Sequence, residues 1–451
     1  MKILIIGAGK MGLAITRQLA DEGHDITVID SDGEKIQTVS DMYDVITLQG
    51  NGESFEVLRT AGIEDTDLLI AASGDDAVNL VCSVAGRYLG AKEAVIRVKD
   101  PEFSREREML SEGFGVSASF NPDLETAQEI ARILQFPMTA RVETFASGRA
   151  ELVEYRIPPE SSLHGVPMKE LRNRFRAQVL ICAVERDGTV FIPKGDFVLL
   201  SGDRIGIAGS RTEVRNFFHA VGKDWKSIRN VILMGGSRVA LYLSRELIPA
   251  GMDVTIIEQD RSRCEELCTL LPDATVIFGD GSKEEVLLEE GIRNADAFVA
   301  LTGSDEDNII VSMYAADMGV GKVICKLGDD HFVNMLQKSV LDTFVCPKLL
   351  AASEMARYVR ALRNAQGSSV ESLYRLIDNQ VEALEFAVGA DSALVGTPLM
   401  NLRIAPDVLI AAVLHGHEVS IPGGNTVIHG GDHAVLVTTR KGLRSLDDIL
   451  G

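Results

Sequence analysis

Near the start of the chain, Gly7, Ala8, Gly9, Lys10, Met11 and Gly12 follow the apolar run KILII, and Asp30 closes the next apolar run 18 residues beyond Gly12. Glycines at these spacings suit a pyrophosphate held by the main chain. Gly7 permits a tight turn out of a strand, Gly9 lets phosphate approach the backbone, and Gly12 lets the next helix pack closely on the strand. That helix would present unpaired N–H groups and partial positive charge to the anion. A carboxylate at Asp30 would accept hydrogen bonds from ribose hydroxyls and repel a 2′-phosphate, favouring NAD or an adenine mononucleotide over NADP. Lys10 reads equally as a phosphate contact or as an exposed surface lysine.

A second, weaker constellation stands 228 positions on, where Gly235 aligns with Gly7 and Glu258 with Asp30. Its loop is Gly235, Gly236, Ser237, Arg238 and Val239, with Ala240 at the place of the third glycine. The Cβ of Ser237 crowds the phosphate approach, although its hydroxyl remains a donor. Arg238 adds a planar fork suited to phosphate. The two copies are therefore expected to be unequal, the second preferring a mononucleotide.

The elements that must hold these residues come from an internal repeat. GNGESFEVLRTAGIEDTDLLIAAS matches GDGSKEEVLLEEGIRNADAFVALT, with Asn79 against Asn308, and NPDLETAQEIARIL matches CPKLLAASEMARYV. A β-rich piece follows each, where LHGVPMKEL pairs with LVGTPLMNL. In the first part of each copy strands alternate with helical segments, which calls for an α/β fold: a Rossmann-like, doubly wound parallel sheet with right-handed crossovers. Short apolar runs divided by Gly, Pro and Asp make the rest β-rich. The expected domains are 1–136 and 229–363 (Rossmann-like) and 141–222 and 368–451 (small, β-rich α+β), joined between copies around GKDWKSIRN.

Composition narrows the function. With 66 acidic against 45 basic side chains the formal charge is −21, so a nucleic-acid backbone would be repelled, and one Trp offers little base stacking. The apolar runs are strand-sized, too short to span a bilayer, and Met1 and Lys2 lead straight into a strand rather than a signal peptide. A cytoplasmic location is expected. Six scattered cysteines do not make a disulfide scaffold. No metal site is expected either: Cys264 and Cys268 share a helical face without further ligands nearby, and His415, His417, His429 and His433 read as solvated turn residues without a matching set in the first copy.

With the repeat, both loops, the GNG and GDG elements and the segments SGDDAVN and TGSDEDN in view, the chain resembles the TrkA family over nearly its full length. These are the potassium-conductance-regulating (RCK) subunits of Trk potassium uptake systems. The resemblance implies a cytoplasmic, non-enzymatic homotetramer at the inner face of the membrane, acting on a TrkH-type pore subunit and responding to NAD or NADH and to ATP or ADP. It also implies that Asn51, Gly52, Ser73 and Arg97 approach the nucleotide, with Asp280, Gly281, Thr302 and Lys326 as their counterparts in the second copy. The family often has Arg where Lys10 stands, and Thr302, Asp305, Glu306 and Asn308 keep a pattern that the first copy departs from.

Two rival readings stay open at this point. An NAD-dependent oxidoreductase would use the same loop but needs a placed acid/base, and the sequence offers none in an evident pocket. A nucleotide-sensing scaffold without a membrane partner would need only the binding sites.

Overall fold

The computed structural model describes residues 1–100, 109–135, 142–145, 150–222, 228–329, 331–332, 341, 343–364, 370–377, 380–405, 407–416, 418–440, 443 and 445–450. Residues 223–227 of the expected joint GKDWKSIRN, and His417, lie outside the described residues.

Copy one begins with six strands, β1 (Lys2–Ile6), β2 (Asp25–Asp30), β3 (Ile46–Gln49), β4 (Leu68–Ala71), β5 (Glu93–Arg97) and β6 (Ala118–Phe120). They form one parallel sheet in the order β3-β2-β1-β4-β5-β6. Because helices cover both faces of such a sheet, its central strands read as unbroken apolar runs, and β4 is buried at every position. The helices are α1 (Lys10–Asp21), α2 (Gly33–Met42), α3 (Phe55–Thr60), α4 (Asp76–Leu89) and α5 (Pro122–Gln135). α1 buries Met11, Gly12, Ile15, Thr16 and Leu19, the one-face spacing of an amphipathic helix. Asp32 caps α2 and Asp75 caps α4 through side-chain oxygens, which sets where both helices begin.

The β-rich part holds β7 (Val142–Phe145), β8 (Ala150–Arg156), β9 (Leu180–Arg186), β10 (Thr189–Phe191) and β11 (Arg204–Gly209), in the antiparallel order β10-β9-β11-β8-β7. It adds the helices α6 (Met168–Phe175) and α7 (Arg211–Ala220). Phe175, Phe217 and Phe218 fill the core beneath them.

Copy two repeats the plan. Its parallel sheet runs β14-β13-β12-β15-β16-β17, built from β12 (Asn230–Met234), β13 (Asp253–Glu258), β14 (Thr275–Phe278), β15 (Ala297–Ala300), β16 (Lys322–Lys326) and β17 (Phe344–Val345). Its helices are α8 (Arg238–Leu247), α9 (Arg261–Leu270), α10 (Glu284–Glu289), α11 (Asp305–Asp317) and α12 (Pro347–Asn364). A second antiparallel sheet, β18-β19-β22-β20-β21, consists of β18 (Val370–Leu376), β19 (Val381–Ala387), β20 (Val408–His415), β21 (Glu418–Ser420) and β22 (His433–Thr438).

The chain divides into two compact units, and each gathers like parts of both copies: Met1–Gln135 with Ile228–Ala356, and Phe136–Ser227 with Arg357–Gly451. In the first, α5 lies against α8. Its Ala127, Ile130, Ala131 and Leu134 join a core with Val239, Leu243 and Leu247, so the last helix of the first Rossmann-like segment is buried in the second copy. Fully burying Ile130 and Leu134 stabilises that seam by about 1.5–3 kcal/mol each. Asn121 Nδ2 donates to the Tyr242 hydroxyl at 3.1 Å beside it. In the second unit Leu152, Cys182, Ala183 and Ala208 meet Ala383, Ala411, Ala412, Val435 and Val437, and the alanines among them let elements of both copies approach closely. Among the described residues no helix is long and apolar enough to cross a membrane.

Candidate nucleotide-binding site

The first cleft opens where β1 turns into α1. Gly7 has φ +101°, a left-handed conformation, and a Cβ there would meet the backbone of Ala72 and Ser73 at 3.0 Å. Only glycine makes this turn without strain. A Cβ on Gly12 would collide with the Gly7 carbonyl oxygen, which accounts for the third glycine. Gly9 differs from both, because none of the described residues lies within 4 Å of where its Cβ would stand. It faces open space. α1 has Gly9 at its N-cap, no side-chain cap and no acidic residue in its first turn, leaving its end receptive to an anion.

Around that opening lies a cleft of about 590 Å³, whose lining includes Gly7, Gly9, Lys10, Met11, Asp30, Ser73 and Arg97. Asp30 is fixed from below: its Oδ2 accepts the Ala8 N–H at 2.7 Å and its Oδ1 the Asp32 N–H at 2.9 Å. A carboxylate has about four lone-pair sites, so two remain for hydroxyls. Arg97, at the end of β5, has a buried Nε without a hydrogen-bond partner among the described residues. Burial pushes its pKa down, while Asp123 and Asp76 act the other way. Lys99 is lowered too, first by burial and then by Arg97 and Arg238. Cations thus crowd this corner, an electrostatic cost that an anion would relieve.

The rest of the frame positions backbone. Asn79 is fully buried; its Oδ1 accepts the Ser73 N–H at 2.8 Å and its Nδ2 donates to the Arg97 carbonyl at 3.0 Å, tying the ends of β4 and β5 together. Asn308 makes the same tie between Thr302 and Lys326.

The second cleft, about 560 Å³, is lined by Gly235, Gly236, Ser237, Glu258, Asp280, Gly281 and Thr302 among others. Gly235 repeats the turn at φ +99°, and Glu258 accepts the Gly236 N–H at 2.6 Å and the Asp260 N–H at 2.8 Å. The helix end differs. Ser237 Oγ accepts the Ala240 N–H at 3.4 Å, so α8 is already capped by its own side chain.

Several expected residues lie elsewhere. Arg238 does not line the second cleft; its Nε contacts Asp123 Oδ2 of copy one at 3.1 Å, an ion pair that occupies the fork expected to hold phosphate. Val239 is in the core. Lys326 is largely buried, which lowers its pKa, and it donates to the Leu301 carbonyl at 3.3 Å. In copy one Ala8 spends its N–H on Asp30 and Gly12 lies behind the turn. Asn51 is exposed and its Oδ1 accepts the Glu53 N–H at 2.9 Å, while Gly52 leaves room for the Ile6 side chain beneath the strand ends. Neither lines the first cleft.

Three basic residues of the clefts escaped the sequence reading. Lys35 lines the first and Arg263 the second, 228 positions apart, so the repeat itself carried their signal. Lys348 also lines the first cleft, although it belongs to copy two. It is the second residue of α12, as Asp123 is the second of α5. Each copy therefore sends the start of the last helix of its Rossmann-like part toward the other copy's glycine loop, with opposite charge.

Thiol chemistry is absent from this frame. Burial raises the pKa of Cys82, beneath the first sheet's end, to about 12, so it remains a protonated thiol at neutral pH. Cys264 is buried and Cys268 exposed on α9. Of the four turn histidines, His415 and His429 are exposed as expected, yet both converge on the buried Asp432.

Fold and clefts together define a duplicated protein with a Rossmann-like half and an antiparallel half in each copy. TrkA-N domains match residues 3–122 and 231–347, and TrkA-C domains match residues 152–222 and 383–451. The chain belongs to the TrkA family of potassium uptake proteins. It is 30% identical over 449 residues to the Trk system potassium uptake protein TrkA homolog of Archaeoglobus fulgidus, covering 100% of both chains. To TrkA of Vibrio alginolyticus it is 29% identical, covering 98% of this chain and 96% of that one. Among solved structures the GsuK channel superposes with a TM-score of 0.64 at 16% identity, over 98% of this chain and 77% of that chain. The GsuK channel bound to NAD gives 0.62 at 16% identity, over 98% and 77%. GsuK bound to ADP gives 0.52 at 13%, over 81% and 69%. These likenesses establish the RCK fold.

Proposed function

We propose that this chain is a cytoplasmic regulatory subunit, seated at the inner face of the membrane, that couples NAD or NADH and ATP or ADP to the opening of a TrkH-type potassium pore subunit. Family membership supports the potassium system. The observation that carries the nucleotide reading is the uncapped end of α1 at Gly9, open to a cleft that also holds Asp30 and Arg97, whose Nε has no hydrogen-bond partner among the described residues. The GsuK structures named for NAD and ADP support the choice of ligands. A homotetramer would gather about 1.4 kcal/mol at each of four equivalent sites into the roughly 5.5 kcal/mol needed to move a two-state equilibrium from 1:99 to 99:1.

Asp30→Ala removes the acceptor proposed for the ribose hydroxyls. Loss of a charge-assisted pair costs about 1.5–3 kcal/mol, so calorimetric titration with NADH or ATP should show at least tenfold weaker binding. Undiminished affinity would exclude that role. Potassium flux into liposomes carrying the cognate pore subunit, with this chain and each nucleotide added in turn, tests the coupling. If flux ignores every nucleotide whose binding is established separately, the protein is a scaffold. Steady NADH consumption with a hydroxy or amino acid would favour the oxidoreductase reading.

A further inference from the structure

The repeat supplies its own control for a site in the antiparallel half of copy two. In copy one Asp203, 1% exposed, stands just before β11 and accepts two parallel bonds from Arg186, at the end of β9, with Nε to Oδ1 and Nη2 to Oδ2 both 2.7 Å. The Leu200 N–H donates to its Oδ2 at 2.8 Å. In copy two Asp432, 2% exposed, stands just before β22 and accepts the His429 N–H on Oδ2 at the same 2.8 Å. Register fixes the correspondence: Arg186 pairs with Thr189 at the β9–β10 turn, and His415 pairs with Glu418 at the β20–β21 turn. The backbone cradle of the carboxylate is thus preserved, while Arg186 is exchanged for His415 and Leu200 for His429.

That exchange turns a closed ion pair into an open set of donors. His415 Nδ1 lies 2.6 Å from Asp432 Oδ1, His429 Nδ1 lies 3.7 Å from Oδ2, and the three groups offer ligand atoms within 4.8 Å of one another. The carboxylate is fixed by backbone, whereas both imidazoles are largely exposed, at 76% and 60% of their side chains. Zinc bonds to imidazole nitrogen and carboxylate oxygen of about 2.0–2.2 Å require donors roughly 3.3–3.5 Å apart, a spacing that small rotations of two exposed rings reach. A guanidinium cannot ligate a metal, and leucine has no donor, so copy one lacks this capacity.

We propose that His415, His429 and Asp432 bind one divalent transition-metal ion, with Zn²⁺ the first candidate, leaving water on the solvent side. Two nitrogens and one carboxylate oxygen suit a borderline cation rather than Mg²⁺ or Ca²⁺, which prefer oxygen sets.

The test uses the full chain, stripped with a chelator and titrated with Zn²⁺ against a competing metal dye, and then with Co²⁺ for its absorption spectrum. The control is the double variant His415→Arg with His429→Leu, which rebuilds the copy-one arrangement and so keeps the carboxylate paired. One equivalent of Zn²⁺ is expected for the parent and none in the double variant, which keeps only one of three ligands, with a Co²⁺ spectrum free of thiolate charge transfer. Equal binding by parent and variant, no binding above the level of the variant, or a thiolate band pointing to Cys268 would each overturn the proposal.

Discussion

Gly9→Ala is expected to abolish most nucleotide binding while leaving the fold slightly more stable, a result opposite to that of Gly7→Ala two residues earlier. Gly9 has φ −69° and ψ −177°, extended backbone open to any residue, and its absent Cβ would touch nothing. Alanine there removes only unfolded-state freedom and should stabilise the chain by about 0.4–1 kcal/mol. The same methyl projects into the space through which a pyrophosphate must reach the first N–H groups of α1. Loss of charge-assisted bonds at that point costs about 1.5–3 kcal/mol each, so losing one or two weakens NADH binding on the order of a hundredfold. Gly7→Ala instead places a methyl on a left-handed backbone, 3.0 Å from main-chain atoms of Ala72 and Ser73 that have nowhere to go. Its cost is about 2–4 kcal/mol of stability. Urea unfolding and calorimetric titration of both variants separate the two roles. If Gly9→Ala binds NADH like the parent, the open space above Gly9 is not where phosphate lies.

The sequence reveals most of this frame because the frame is built from backbone requirements. Three glycines, two strand-end acids and an apolar period that switches between strand and helix each have a local cause, and the repeat doubles every signal. What it does not show is which copy a helix serves. α5 carries an ordinary amphipathic pattern, and nothing in Ala127, Ile130, Ala131 or Leu134 says that their partners are Val239, Leu243 and Leu247 rather than the preceding sheet. The same silence covers Arg238. A lone arginine after a glycine-rich turn reads as a phosphate ligand, but only the fold brings Asp123 beside it. Ser237 is legible as a crowding residue, whereas its capping of Ala240 depends on the rotamer. His415 and His429 lie 14 positions apart in turns, and their meeting at Asp432 rests on strand register.

The exchanged helix starts give the two clefts different charged surroundings. Lys348 of copy two lines the first cleft, with only 16% of its side chain exposed and its Nζ 3.8 Å from Asp329. Asp123 of copy one takes the equivalent helix position, where it pairs with Arg238 outside the lining of the second cleft. An anion entering the first cleft therefore meets a lysine at its wall that also faces Asp329, whereas Arg238 is held by Asp123 away from the lining of the second. Reversing these charges should reverse the preference. Lys348→Asp is expected to weaken ATP and NADH at the first cleft by about tenfold, a conservative figure for two unit charges at an effective dielectric near 20. Asp123→Lys should release Arg238 to turn toward the second cleft and strengthen phosphate binding there. That gain should be smaller, about two- to fivefold, because the pair is partly exposed, at 48% and 27%, and such pairs are worth roughly 0.2–1 kcal/mol. Both effects should shrink as salt shortens the reach of the charges. Calorimetry on the single and double variants, run at low and at physiological ionic strength, reads the two sites as separate isotherms. Isotherms unmoved by either reversal would show that phosphate enters neither cleft near the helix starts, and the assignment of unequal sites would fall with them.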